Sequence, residues 1–369
     1  MTRFHEPGFA RRGCRACGAA ALTGVLDLGK MPAADHFPER DEPLAADPLH
    51  MLAMVMCRAC GLAQLADDDT IADEPRGVEP RALREQAADA VARIAATGLL
   101  RGRAVREFGS PHGGTWLPLL AAHGCRETTD GPADIVVDTF GIMHEPDQRA
   151  AAAERAAAVG TGGTLLLQFH SLRAIRAQGQ WNALRHGHFA YYSLTALCAL
   201  FAGAGLYPAT AWEFELYGGT VLVAFAHRRV APDERVRAIL DAEAELTDPA
   251  ALGSLQDAAD RQAEALRRWL DEEATRQHRI YAYGAASRAV ALFARAGLGH
   301  AHLAAVADAS PAKQGRRMPG TDIPIIHPAE LVAAQPDRVL LTLPDLLGEV
   351  ETNLPSLRGR WVVEVPQPP

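Results

Sequence analysis

Apolar residues fall into short runs of strand length, separated by alanine-rich stretches in which apolar positions recur at helical spacing. Early apolar segments lie around Val25-Leu26-Asp27-Leu28 and from His50 to Met56. A helix is predicted from Arg81 to Leu99, then a strand from Ala104 to Ser110 that runs into a glycine turn, then a helix from Trp116 to Ala122. Strands follow at Asp134–Asp138 and Gly163–Gln168, with a helix from Ala150 to Val159 between them. After a helix from Tyr192 to Gly205, Ala209–Phe214 and Thr220–Phe225 read as an antiparallel pair. One long charged helical stretch is expected over 232–277, its charges forming a solvated face. Further strands are expected at Arg279–Gly284, Leu303–Asp308, Arg338–Leu343 and Trp361–Val365. Strands alternating with helices predict an α/β fold.

The pattern divides the chain into 1–75, a small module with a short apolar core; 76–230, an α/β unit; 231–277, a helical connector; and 278–369, a second α/β unit. Composition narrows the function. Net charge is −8 and the chain has no basic cluster, which argues against a nucleic-acid partner. Only Lys30 and Lys313 are lysines, a bias without mechanistic content. No apolar run approaches the ~18 residues of a membrane span, and the first residues lack the apolar core of a signal peptide. A cytoplasmic protein is expected.

The strongest chemical signal is a pair of knuckles, Cys14-Arg-Ala-Cys17-Gly18 and Cys57-Arg-Ala-Cys60-Gly61. Each aims two thiolates at one point, and together they complete a four-cysteine zinc site. With every ligand position filled by protein, the zinc is structural. Thiolate ligands, with Cys125 and Cys198 unpaired, fit a reducing compartment.

Four other motifs carry possible chemistry. Glu107-Phe-Gly109-Ser110-Pro-His-Gly113 is a strand-to-helix glycine turn, which lets backbone N–H groups approach a ligand or merely connects two elements. His144 lies just past a strand end, where open α/β sheets border their ligand crevice; a loop histidine facing water is the bland alternative. In Arg185-His186-Gly187-His188-Phe189-Ala190-Tyr191-Tyr192, paired histidines beside tyrosines suit proton transfer near neutral pH; they could also bind metal, but no third ligand lies nearby in sequence. Tyr217-Gly218 brings backbone near the same pocket, or makes a plain hairpin. Last come Tyr283-Gly284-Ala-Ala-Ser287-Arg288, a turn suited to a phosphate, and Asp308 to Lys313, an acid at a strand end suited to a ribose; ordinary α/β connections look the same.

In this order the motifs resemble those of the deoxysugar C-methyltransferases of antibiotic biosynthesis, over nearly the whole chain. The resemblance implies a zinc module, a central S-adenosylmethionine (SAM) domain of Rossmann type and a C-terminal Rossmann-like domain. It implies a nucleoside-diphosphate 4-keto-6-deoxysugar substrate, methylated at C3 through an enolate. It makes His188 the base and His144 the partner at the keto oxygen, with His186 beside them. Glu107, Gly109, Ser110 and Gly113 would hold SAM. Arg185, Tyr192, Tyr217, Gly218, Tyr283, Gly284, Ser287, Arg288, Asp308 and Lys313 would hold the sugar nucleotide.

The sequence also departs from the family. The Tyr-His-Glu-His expected at the base is Arg185-His186-Gly187-His188, and the tyrosine-rich stretch expected upstream is Ala82-Leu83-Arg84-Glu85-Gln86. The Asn-Asp pair of the SAM turn is missing. The strand at Asp134 follows within ten residues of Gly124. A crossover unit needs roughly 30 residues. Cys125–Asp130 is therefore not expected to supply the strand whose terminal acid grips the SAM ribose. Three readings remain: methyl transfer from SAM, a SAM-independent epimerisation, isomerisation or elimination by the same base, and a non-catalytic binding partner.

Overall fold

The computed structural model describes residues 13–70, 79–100, 104–109 and 114–365. Three sheets organise them. The first contains β1 (Leu22–Pro32), β2 (Leu49–Cys57) and β3 (Ala63–Leu65), all antiparallel. Its fourth strand comes from far along the chain and is introduced below.

The second sheet begins after helix α1 (Arg81–Ala96). It is built from β4 (Ala104–Phe108), helix α2 (Leu117–Ala122), β5 (Arg126–Glu127), β6 (Ala133–Thr139), helix α3 (Gln148–Ala158) and β7 (Val159–His170). Helix α4 (Leu172–Ala177), strand β8 (Ala190–Tyr191) and helix α5 (Leu194–Gly203) lead to β9 (Tyr207–Phe214) and β10 (Thr220–Ala226). The strand order is β5-β4-β6-β7-β10-β9. Alternation along each strand sends side chains to opposite faces. Val221, Val223 and Phe225 of β10 pack with α3 and α5, whereas Leu222 and Ala224 pack with Ala90, Val91 and Ile94 of α1.

The span Cys125–Asp130, not expected to supply a strand whose terminal acid grips a ribose, forms a strand of two residues only, β5. Glu127 pairs with Val105, while β4 continues to Phe108. No further strand lies outside β5 in this sheet among the described residues.

Residues 232–277 are not one helix. Helix α6 (Glu234–Ala242) and helix α7 (Ser254–Thr275) are separated by two short 3-10 turns. Pro249 cannot continue a preceding helix, and the Asp248 side chain accepts from Ala250 N–H at 3.0 Å to start the next turn. The third sheet is parallel, in the order β13-β12-β11-β14-β15. Its strands are β11 (Ile280–Tyr283), β12 (Val306–Ala307), β13 (Ile325–Ile326), β14 (Arg338–Leu341) and β15 (Trp361–Val362), with helix α8 (Ser287–Arg295) after β11.

The zinc-module sheet does not close its own core. Leu26, Leu52, Met54 and Leu65 pack with Trp181, Tyr191 and the first turns of α7 (Leu255, Ala259). Farther along, α7 turns Leu266, Trp269 and Leu270 into the core of the third sheet. Strand β8 completes the first sheet, with Ala63 opposite Tyr191 and Gln64 opposite Ala190. Among the described residues no helix is long and apolar enough to cross a membrane.

Candidate active site and metal centre

The two cysteine knuckles fold alike. Gly18 N–H returns to the Cys14 carbonyl and Gly61 N–H to the Cys57 carbonyl, at 2.8 and 2.9 Å. Both glycines sit at φ +76°, which an L side chain resists. The four sulfur atoms gather within 4.8 Å of one another, with Cys14–Cys60 at 3.5 Å and Cys17–Cys57 at 3.6 Å. Zinc–sulfur bonds of about 2.3 Å in a tetrahedron need sulfurs roughly 3.8 Å apart, so the set fits zinc. The hydrogen bond between the two sulfurs pulls the Cys14 thiol down and pushes Cys60 up.

A cavity of about 230 Å³ lies where the carboxyl ends of the second and third sheets face each other. On one side the wall is Phe140 after β6, His170 ending β7, and Arg185, His188 and Tyr191 from the segment entering β8. On the other it is Tyr283, Gly284 and Ser287 at the β11–α8 turn, Asp308 after β12, and Leu343 after β14. Strand carboxyl ends are where open α/β sheets bind ligands.

His188 is placed by two backbone contacts: β8 pairing with β3, and Phe189 N–H donating to the Met143 carbonyl at 2.7 Å. The second brings the His144 ring edge-on to His188, centroids 4.5 Å apart. Burial first, then the Arg185 charge, pushes His144 down to about 3, so it is neutral at physiological pH. Arg185 Nε donates to His188 Nε2 at 2.7 Å, and its Nη2 contacts the same nitrogen. A guanidinium only donates, so Nε2 is the unprotonated nitrogen of His188.

Three cations line the cavity: Arg185, Arg288 and Lys313. Its carboxylates are already engaged. Asp308 accepts from Ala285 N–H and Ser310 N–H, each at 2.7 Å, and Glu349 accepts from Arg81 N–H at 2.9 Å at the start of α1. Lys313 Nζ donates to the Ala285 carbonyl and lies 4.6 Å from the Phe37 ring centroid. Arg288 lies 5.5 Å from the Tyr217 ring centroid. Such a wall favours an anionic ligand. Gly284 stands at φ +98°, and a Cβ there would come 2.5 Å from Thr342 Oγ1. Only glycine fits that turn.

Of the residues singled out by sequence, Arg185, His188, Tyr217, Tyr283, Gly284, Ser287, Arg288, Asp308 and Lys313 line this cavity, with His144 behind His188. Gly218 sits at its edge, its carbonyl taken by the Gln178 side chain. Tyr192 is buried elsewhere, its hydroxyl donating to Gln148 Oε1. His186 turns to the zinc module, with Nε2 3.2 Å from the Met51 carbonyl. Sequence reading missed His170, whose Nδ1 accepts from Arg288 Nη2 at 3.2 Å, and Phe140, whose ring meets Tyr217 edge-on at 5.9 Å. Both follow or end a strand, the one signal that marks them. Phe140 and Tyr217 hold φ of 62° and 57°, strained values for aromatic residues that cluster here at the cavity.

Glu107 and Gly109 lie outside the cavity wall, and Ser110 and Gly113 lie outside the described residues. The Glu107 carboxylate accepts from Trp116 N–H at 2.7 Å and from the Thr115 hydroxyl, so it is engaged by the residues just before the following helix. Gly141 and Gly109 approach so closely that a Cβ on Gly141 would lie 2.9 Å from the Gly109 carbonyl oxygen. Glu127, the acid on β5, is exposed and stops short of the sheet's carboxyl edge. The described residues therefore do not complete a SAM site.

Comparison with known proteins gives the class. Residues 215–366 match the model of a "C-methyltransferase C-terminal domain", and residues 14–70 match a "Putative zinc binding domain". Both descriptions agree with the family that the sequence resembles, C-methyltransferases carrying a zinc module, and support a transferase. One relative is the C-methyltransferase NovU of Streptomyces niveus, 26% identical, with 96% of each chain covered. That alignment runs over 406 positions, more than the 369 residues of this chain, so the relative carries residues without a counterpart here. Among solved structures, magnesium protoporphyrin IX methyltransferase of Synechocystis is similar at TM-score 0.31 and 12% identity, over 40% of this chain and 84% of that one. A SAM-dependent methyltransferase of Thermotoga maritima is similar at TM-score 0.27 and 15% identity, over 39% and 95%.

Proposed function

We propose that this protein enolises a nucleoside-diphosphate 4-keto-6-deoxysugar held in the cavity between the second and third sheets, as the first half of a C-methyl transfer at C3. His188 Nε2 removes the C3 proton. The C–H electron pair becomes the C3–C4 double bond, and the carbonyl pair moves to O4. Neutral His144, edge-on to His188, is the group assigned to meet that charge. The carrying observation is the cavity itself, whose wall holds the His188 imidazole with Arg185, Arg288 and Lys313, and whose own carboxylates, Asp308 and Glu349, accept from backbone N–H groups. In the family, SAM supplies the methyl group that captures the enolate.

A second reading stops at proton transfer, giving epimerisation, isomerisation or elimination. It is favoured by β5, whose two residues leave Glu127 short of the place where a ribose-binding acid is needed. One experiment separates the two: protein with dTDP-4-keto-6-deoxyglucose and methyl-labelled SAM, products followed by mass spectrometry. Label in the sugar supports methyl transfer. Deuterium uptake from D₂O at C3 without label supports the second reading. Absence of both label and deuterium would overturn the enolisation proposal.

A further inference from the structure

Arg185 occupies the lone pair that the base needs. Its Nε lies 2.7 Å from His188 Nε2, and its Nη1 contacts the hydroxyl of Ser287, the first residue of α8. The segment is fixed from behind, since Arg185 N–H donates to the Tyr191 hydroxyl at 3.0 Å and Asp35 stands 3.8 Å from Nη1. In this arrangement a proton on substrate carbon has no free nitrogen to go to. Something must draw the guanidinium away.

The surroundings say what. Helix α8 begins after Ala286 with no side-chain cap, and Ala286, Ser287 and Arg288 at its start line the cavity where Arg185 already reaches. A phosphate there is a far stronger partner for a guanidinium than a neutral imidazole, because the pair is charge-assisted and can be bidentate. The planar fork cannot serve His188 and a phosphate with the same N–H groups at once.

We propose that Arg185 is a diphosphate-operated shutter on His188: it covers Nε2 in the free protein, and the substrate's diphosphate at the start of α8 pulls it off and frees the base. The inference rests on the proposed function and adds a specificity rule to it. Proton abstraction then requires the diphosphate, not merely the keto-sugar.

The test uses the full-length protein and splits the substrate. Free 4-keto-6-deoxyglucose is incubated in D₂O with and without dTDP or UDP added separately, and deuterium at C3 is read by NMR. Wild type is expected to exchange the free sugar at least 10-fold faster when a nucleoside diphosphate is present. Arg185→Gln is expected to exchange it without one and to gain less than 2-fold on its addition. Equal wild-type rates with and without diphosphate, or continued dependence in the variant, would overturn the shutter. Because the variant could fail to fold, a second readout uses wild type alone: the His188 imidazole ¹⁵N signals, assigned by comparison with His188→Ala. The Nε2 signal must shift when dTDP binds, and an unmoved signal also overturns the proposal. Intact dTDP-4-keto-6-deoxyglucose is the control. If wild type does not exchange it, the proposed function itself fails. If it does, and the free sugar exchanges equally well without diphosphate, only the shutter fails.

Discussion

At the residue scale, the same guanidinium chemistry does two unlike jobs. Arg185 meets a neutral imidazole and, as the proposed shutter, exchanges it for a phosphate. Arg317 meets Asp47 head-on: Nη1 lies 2.7 Å from one carboxylate oxygen and Nη2 contacts the other, with both side chains under a tenth exposed. Gly320 N–H adds a third bond at 2.8 Å. Burial alone would push Asp47 up, but the Arg317 and Gly320 hydrogen bonds outweigh it and hold the carboxyl below its ordinary 3.8. A depressed carboxylate contributes stability that is present above its unfolded pKa and lost as pH falls through the folded value. Asp47→Asn leaves Arg317 buried without its paired carboxylate and is expected to cost about 3 kcal/mol at pH 7. The difference from wild type should shrink below pH 4. Urea unfolding at pH 7 and pH 3 measures it; a constant difference at both would contradict the assignment.

At the element scale, the short strand β3 links the metal to the base. It starts just past the Cys57–Cys60 knuckle, and its partner β8 begins two residues after His188. The spacing of the cysteines made the metal site legible in sequence, since four thiols in two C-x-x-C-G units have few other uses. Nothing local could show that Ala190-Tyr191 completes the zinc-module sheet, because a two-residue strand has no periodicity to read. The helical break at Pro249 was available in sequence but was outweighed by the charged, helix-favouring residues on both sides. Cys57→Ser is expected to abolish stoichiometric zinc, lower the melting temperature by about 10 °C or more, and reduce C3 exchange along with it. Elemental analysis and thermal melting check this. Zinc-free protein with unchanged melting and exchange would disconnect the metal from the site.

For the whole molecule, three sheets meet around one cavity, and most of its polar wall was readable from strand-end motifs: Gly284, Asp308, and His188 with Arg185. The rest depends on packing across long sequence separations. His186 and His188 differ by two positions and are alike in residue chemistry, so that only the family resemblance picked His188 as the base; the chain turns His186 toward Met51 and His188 into the cavity. Tyr192 follows cavity-lining Tyr191, but lies past β8 and faces the core beside Gln148. His170 and Phe140 joined the wall only because β6 and β7 end beside the third sheet. The shortened edge at β5 was legible as a missing length of chain. The strand stub that remains there was not.

The most direct measurement is deuterium incorporation from D₂O into dTDP-4-keto-6-deoxyglucose by wild type and His188→Ala, read by NMR without added SAM. Enolisation by His188 predicts exchange at C3 by wild type and a loss of about 10²–10⁴-fold in a variant that still folds and holds zinc. Exchange of equal rate in both proteins, or none by wild type, would contradict it.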